Sequence, residues 1–348
     1  MAYNYYLYCV QENTMSLTQA PSPVRPKVLV ARRIFPEGLA RLEEHCEIDY
    51  NDQIHPLSNA ELANRLADKQ GALVTGSEHV GTQALSQASQ LQIISTIAVG
   101  FNNFDVAALN AKRIFGTNTP DVLTDTTADM AFALLMATAR RVCETEHWLR
   151  AGHWQNWELG GMLGVDVHHS TMGIIGMGRI GQAIAKRGLG FGMNILYHNR
   201  TQLDAATEQA CQAQYVDLET LLRQADHVVL VMPYSAASHH LIGREQLALM
   251  RPTATLINIA RGGIVDDAAL IEALQKKVIF AAGLDVYEGE PKLNPGFLTV
   301  PNVVLTPHIG SATAKTRHGM MNLAIDNLLA GLAGKRPPNL INPEIWKA

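Results

Sequence analysis

Six consecutive residues constrain this chain more than any other feature: Gly176-Met177-Gly178-Arg179-Ile180-Gly181. They close the apolar stretch TMGIIG (171–176) and open a stretch of helical character (178–190). A G-x-G-x-x-G triplet recurs by chance, but between a strand and a helix each glycine has a task. Gly176 permits a tight turn, Gly178 lets a pyrophosphate approach the backbone, and Gly181 lets helix and strand pack closely. The helix start, at Arg179 and Ile180, offers free N–H groups and a positive dipole end to phosphates. A dinucleotide site is therefore expected here.

The surrounding rhythm supports a doubly wound α/β fold. Further strand candidates are NILYHN (194–199), HVVLVMP (227–233), ATLINIAR (254–261), FAAGLDV (280–286) and NVVLTPH (302–308). Helical stretches at 178–190, 217–225, 244–250 and 267–276 separate the earlier ones. Near-continuous apolar strands between helices indicate a parallel sheet covered on both faces. An earlier α/β unit spans about residues 26–120, with strand candidates KVLVAR, GALVTG (71–76), QIISTIAVG (92–100) and RIFGTN (113–118), and a helix around Glu37–Cys46. One long helix is expected from Thr126 to about Gly152, since no Gly or Pro interrupts it. A last helix, about 312–333, is expected to return to the first unit.

The predicted architecture is two Rossmann-like doubly wound parallel-sheet domains, the cofactor domain inserted in the substrate domain. Residues 1–25 read as a disordered extension, or as a misassigned start with Met15 as the true first residue. Residues 26–120 plus 310–348 form the substrate domain, and 121–309 the NAD(P)-binding domain with the linking helix and the loop after it.

Composition excludes several classes. Net charge is −4 with no basic block, so nucleic acid is not an expected partner. The most apolar run, Met130–Ala139, is too short for a bilayer, and no signal peptide is evident. Cys9, Cys46, Cys143 and Cys211 form no CxxC pair, which fits a reducing cytoplasm and argues against a disulfide framework or zinc site. The adjacent pairs His168-His169 and His239-His240 are expected to diverge, as neighbours do on a strand or a helix, and no metal is expected. The methionines read as core filler.

Cofactor choice is set about 20 residues beyond the glycine turn, where an acidic residue would repel a 2′-phosphate. Here the strand ends in Asn199-Arg200-Thr201. Asn199 removes the repelling charge and Arg200 supplies a planar cationic fork for phosphate. NADPH is the expected cofactor, with NADH weaker.

Ligands of open α/β sheets bind beyond the carboxyl ends of the strands. Three strands end there in isolated ionisable groups: Arg261, Asp285 with Glu288 and Glu290 behind it, and His308. Reduction of a 2-keto acid needs a cation to hold the carboxylate and an acid to protonate the carbonyl oxygen. Arg261 suits the first task and His308 the second. A carboxylate beside His308 would favour its imidazolium and raise it above the usual histidine value of about 6.5. Pattern alone leaves Glu288 and Glu290 equal for that place. Asp285 is better placed to hold a nicotinamide ring.

With these motifs in view, the chain resembles the D-isomer-specific 2-hydroxyacid dehydrogenases over nearly all of residues 26–345. The resemblance rests on GIIGMGRIGQAIAKR, LINIARGGIVDDAAL, AAGLDVYEGEP and TPHIGSAT. It implies that the family's Arg-Glu-His set falls on Arg261, Glu290 and His308, since the family's glutamate precedes a proline, here Pro291. It implies nicotinamide contacts from Asp285, Ile259 and Ala260, and cofactor contacts near Met232, Pro233 and Gly310. The segment IAVGFNNFD matches the family's substrate-carboxylate loop, which implies the N–H groups of Val99 and Gly100.

The resemblance further implies NADPH-linked reduction of small 2-keto acids such as glyoxylate, hydroxypyruvate or 2-ketogluconate. It implies a homodimer in which the long helix and its loop embrace the partner, a contact that Trp148, Trp154 and Trp157 would suit. One departure stands out: some relatives place a partner's aromatic residue near the substrate, whereas Glu158–Gly164 here holds none, leaving substrate preference open. The alternatives are another 2-hydroxyacid dehydrogenase, of D-lactate or phosphoglycerate type, or a cofactor-sensing binding protein of the same fold.

Overall fold

A computed structural model describes residues 25–347. The expectations for residues 1–24, including the alternative start at Met15 and Cys9, lie outside the described residues.

Short strands, most of them buried on both faces, build the first sheet. Its strands are β1 (Lys27–Val30), β2 (Glu47–Tyr50), β3 (Gly71–Val74), β4 (Ile93–Thr96) and β5 (Phe115–Thr117). All pair in parallel in the order β2-β1-β3-β4-β5. Side chains alternate across a strand, so β1 feeds two cores. Val28 and Val30 pack with Leu42, Met321, Ala324, Ile325 and Leu328. Leu29 packs on the opposite face with Leu62, Leu66, Leu85 and Leu109.

The second sheet holds β6 (Thr171–Ile175), β7 (Asn194–His198), β8 (Ala213–Tyr215), β9 (His227–Leu230), β10 (Thr255–Asn258), β11 (Ala281–Leu284) and β12 (Val303–Leu305). Its order is β12-β11-β10-β9-β6-β7-β8, again parallel throughout. The order reverses between β6 and β9, which is the switch point where such sheets open a crevice for ligands.

The chain leaves the first sheet, builds the second, and returns. The helix Ala314–Leu332 packs on the first sheet, where the Ser95 hydroxyl donates to the Ala324 carbonyl at 2.8 Å. Beyond it, the Ile341 N–H donates to the Gly116 carbonyl at 2.9 Å, tying the tail to β5. One domain is thus inserted in the other, as the sequence predicts.

The structure corrects three expectations. First, the long helix is two. Thr124–Ala139 lies on the second sheet, with Ala128, Ala131, Leu134 and Leu135 buried. Arg141 then turns left-handed (φ 54°), and Val142–Arg150 follows as a separate helix with no buried residue. No Gly or Pro marks this break, which is why the pattern reads as continuous. Second, β2 and β8 are additional strands. Both are short edge strands whose residues are only partly buried, so neither carries an apolar run.

Third, the adjacent histidines do not diverge. The His239 and His240 rings stack with centroids 3.9 Å apart, and His168 and His169 meet edge-on at 5.3 Å. Each pair sits in a turn with a left-handed residue, His240 (φ 52°) or His169 (φ 56°), so strand and helix geometry do not apply.

Among the described residues, Cys46, Cys143 and Cys211 are free, and no helix is long and apolar enough to cross a membrane.

Candidate active site

The glycine turn has the shape the pattern requires. Gly176 adopts φ 105°, and a Cβ there would lie 2.8 Å from the Met232 backbone nitrogen. A Cβ on Gly181 would overlap the Gly176 carbonyl oxygen. These two glycines are therefore fixed by the protein's own packing. Gly178 differs: a Cβ there would meet no atom of the described residues within 4 Å. Gly178 is also the N-cap of the helix Arg179–Gly190, and no side chain caps that end. An open cradle over uncapped N–H groups is what a pyrophosphate needs, so these residues fit a dinucleotide.

Around this turn, Asn199 accepts a hydrogen bond from the Met177 N–H at 2.7 Å, which ties the end of β7 to the glycines. Arg200 and Thr201 follow, both exposed. The Arg179 side chain pairs with Asp121 at 2.8 Å, so Arg179 and Ile180 face the cradle with their backbone at the helix start. Beyond β9, Met232 is half-buried and Pro233 exposed, while Ile259 and Ala260 leave β10 buried.

Across the crevice, residues far apart in sequence meet. Arg261 lies beyond β10, in a turn shaped by Asn258, whose Oδ1 accepts from the Ala260 N–H at 3.0 Å. Its Nε donates to Asn102 Oδ1 at 3.1 Å and its Nη1 to the Ala260 carbonyl at 2.7 Å. The guanidinium presses on Gly100 through its Nη2, so closely that a Cβ on Gly100 would overlap it. Beside it, the Val99 carbonyl accepts from Asn118 Nδ2 at 2.8 Å. Burial pushes the Arg261 pKa down, against the opposing pull of Glu290; the guanidinium stays charged, because arginine keeps its proton in proteins.

Glu290, not Glu288, meets the histidine. Its Oε2 lies 2.7 Å from His308 Nδ1, and its Oε1 accepts from the Tyr287 N–H at 2.9 Å. Burial raises the Glu290 pKa, but the His308 hydrogen bond, the His308 and Arg261 charges and the Tyr287 amide outweigh it, so the net direction is down. Glu290 is thereby held as a carboxylate. His308 itself is in the left-handed region (φ 53°) of the turn after β12.

That turn rests on Asp285, which is 1% exposed. Asp285 Oδ1 accepts from Thr306 Oγ1 at 2.7 Å and from the Ile309 N–H at 2.8 Å; Oδ2 accepts from the Gly310 N–H at 2.7 Å. The Tyr287 hydroxyl sits between the carbonyls of Leu284 (3.0 Å) and Thr306 (2.9 Å), and burial pushes its pKa up to about 12. Sequence reasoning assigns Asp285 to the nicotinamide; the structure adds that it anchors the loop carrying His308. It also brings in Asn102, Asn258, Thr306 and Tyr287, which pattern alone passes over. Their only sequence signal is adjacency to the marked residues.

Comparison with known proteins shows the family. Residues 132–310 match the family described as D-isomer specific 2-hydroxyacid dehydrogenase, NAD binding domain. The chain is 46% identical over 326 residues to the glyoxylate/hydroxypyruvate reductase B of Enterobacter agglomerans, covering 93% of this chain and 100% of that one. The chain belongs to the D-isomer specific 2-hydroxyacid dehydrogenases. The glyoxylate reductase of Thermococcus onnurineus is 43% identical to this dehydrogenase, across 92% of this chain and 97% of its own length. Among solved structures, the NADPH-dependent glyoxylate/hydroxypyruvate reductase of Sinorhizobium meliloti, in complex with NADP and malonate, superposes with a TM-score of 0.83 at 34% identity. That match covers 93% of this dehydrogenase and 99% of the Sinorhizobium chain.

Proposed function

We propose that this dehydrogenase uses NADPH to reduce small 2-keto acids, glyoxylate, hydroxypyruvate and 2-ketogluconate among them, to D-2-hydroxy acids. The observation that carries the reading is the pairing of His308 with Glu290 at 2.7 Å beside an Arg261 pressed on Gly100. This set matches the reaction's demands: a proton donor, a carboxylate that orients it, and a cation beside amide donors.

When bound, the reduced nicotinamide supplies the hydride. In this reading Arg261 and the N–H groups of Val99 and Gly100 hold the substrate carboxylate. Asn102 braces the guanidinium, so little orientation is lost on binding. His308 gives the proton on its Nε2 to the carbonyl oxygen, while Glu290 holds Nδ1 and balances the charge of the imidazolium. Asp285 has lone pairs beyond those taken by the His308 loop, and these are offered to the nicotinamide carboxamide. Met232, Pro233, Ile259, Ala260 and Gly310 line the cofactor's path. Asn199 and Arg200 favour a 2′-phosphate, and the names of the Enterobacter and Sinorhizobium relatives support both substrate class and cofactor. Residues 26–120 with 310–348 serve as the substrate domain and 121–309 as the cofactor domain.

The working form is a cytoplasmic homodimer. Among the described residues Trp154 (59% exposed), Trp157 (75%) and Leu159 (83%) are largely exposed, and exposed apolar clusters of this kind mark contact surfaces.

Oxidation of NADPH and NADH by the purified protein, with glyoxylate, hydroxypyruvate and 2-ketogluconate in parallel, tests the reading. Fast turnover with NADPH and slow turnover with NADH is expected. NADH-only activity removes the cofactor assignment; tight cofactor binding without turnover of any of the three removes the substrate assignment.

A further inference from the structure

The loop after β10 presents Arg261 to the cleft and Gly263 to a second cluster. A Cβ on Gly263 would touch Tyr234 at 3.3 Å and His239 Nδ1 at 3.4 Å, and the Gly263 carbonyl accepts from the His240 N–H at 2.7 Å. On that side one nitrogen of His239, one nitrogen of His240 and one carboxylate oxygen of Glu288 lie within 4.8 Å of one another, all exposed. We propose that His239, His240 and Glu288 bind one divalent transition-metal ion of the zinc type, a site separate from the hydride-transfer chemistry.

Three features carry this inference. The first is spacing. His240 Nε2 and Glu288 Oε2 share a hydrogen bond at 3.1 Å, which an ion would replace. Two ligands at about 2.0–2.2 Å from a tetrahedral ion are separated by roughly that distance. The left-handed turn at His240 brings the two rings together, stacked with 22° between planes, so one exposed ring must turn to bring its in-plane lone pair onto a shared ion. The third ligand closes on the ion by a small rotation of an exposed side chain.

The second feature is the outer layer. Ligating histidines are oriented by an oxygen on their other ring nitrogen. Tyr234 Oη lies 3.2 Å from His239 Nδ1, and Asp266 Oδ2 lies 4.0 Å from His240 Nδ1. The Tyr234 contact occupies His239 Nδ1 and leaves its Nε2 to the ion, while Asp266 faces His240 Nδ1 beyond hydrogen-bond distance. Third, the donor set discriminates. Two imidazoles and one carboxylate suit zinc, nickel or copper, whereas magnesium and calcium prefer oxygen ligands.

A bound ion would clamp two loops. His239 and His240 follow Tyr234 in the connection after β9, and Glu288 belongs to the turn whose Glu290 holds His308. Metal binding is therefore expected to stabilise the folded protein, by an amount that rises with the logarithm of free metal once it exceeds the dissociation constant.

The test uses the full-length protein, stripped with a chelator and titrated with zinc chloride by calorimetry and by thermal melting. One equivalent at micromolar affinity and a melting temperature that rises with zinc are expected, with no response to magnesium at the same concentration. Glu288→Gln and His239→Ala should each weaken zinc binding at least tenfold. His240→Asn should do the same while keeping the left-handed turn, which Asn tolerates. Metal-free melting equal to that of the parent shows that each variant is folded. Wild-type zinc affinity in all three variants overturns the proposal, as does zinc loss on His168→Ala instead. Because the readout is binding and melting, it stands whether or not the 2-keto acid assignment holds.

Discussion

The dinucleotide turn and the substrate cleft lie side by side, yet they are assembled over very different distances along the chain. The turn is six consecutive residues, Gly176–Gly181, between one strand and the helix that follows it. The cleft joins Gly100 and Asn102 from the first sheet's loops to Arg261, Glu290 and His308 from three loops of the second. A site made of neighbours depends on local backbone geometry. A site made of distant parts depends on how two domains sit against each other, and its side chains need braces such as Asn102, Asn258 and Asp285.

Substitutions at matched positions sharpen this contrast. The largest effect is expected at the far end of the assembled site. His308→Gln keeps the loop's polar character but removes the proton donor, and kcat should fall about 10²–10⁴-fold with cofactor affinity unchanged. A loss below tenfold in steady-state assays would move the proton to another group.

Next come two glycines given the same methyl group. In Gly100→Ala the new Cβ displaces the Arg261 guanidinium, and a misplacement of that kind should cost roughly 10²-fold in kcat/KM. In Gly178→Ala the Cβ meets no described atom, so melting should not change while the dissociation constant for NADPH rises. Equal losses of substrate and cofactor binding in both variants, by fluorescence titration, would erase the distinction.

A smaller change is expected at the edge of the turn. Arg200→Ala removes one charge-assisted contact and should raise KM for NADPH about 10–100-fold while leaving NADH nearly unaffected. An unchanged NADPH/NADH ratio would assign Arg200 to the solvent alone.

The smallest effect tests local rule against tertiary burial directly. Asp267 opens the helix Asp267–Gln275, where an acidic side chain is locally favourable. Burial nevertheless pushes its pKa up to about 6, aided by the charges of Glu288 and Asp266 and opposed by a backbone hydrogen bond and His240. The folded pKa exceeds the unfolded value of about 3.9. Between those values the unfolded chain loses its proton first, so stability falls as pH rises from about 4 to about 6 and is level above that. Asp267→Asn should match the parent at pH 4 and exceed it at pH 8, by a margin on the order of 1–3 kcal/mol in urea unfolding. A constant difference across that range would show that the local rule prevails.

Legibility followed the same division. The strands Thr171–Ile175, His227–Leu230 and Thr255–Asn258 are fully buried or nearly so, and their unbroken apolar runs mark them in the sequence. Glu47–Tyr50 and Ala213–Tyr215 are edge strands with one neighbour each, so little apolar surface is demanded of them and no run appears. The break at Arg141 is invisible because neither Gly nor Pro produces it. The choice of Glu290 over Glu288 follows from a hydrogen bond to a residue eighteen positions away.

By itself the sequence determined the parallel α/β architecture, the glycine turn, the uncharged Asn199 beside Arg200, and the ionisable residues that end three strands. Each of these is a matter of short-range pattern: periodic burial, backbone freedom, or charge at one position. Only the tertiary structure decided that Gly100 must lack a side chain for Arg261 to lie against it, and that His239, His240 and Glu288 converge. The reason is physical: hydrogen bonds and close contacts between residues far apart in the chain exist only once both sheets are packed, and no local spacing encodes them.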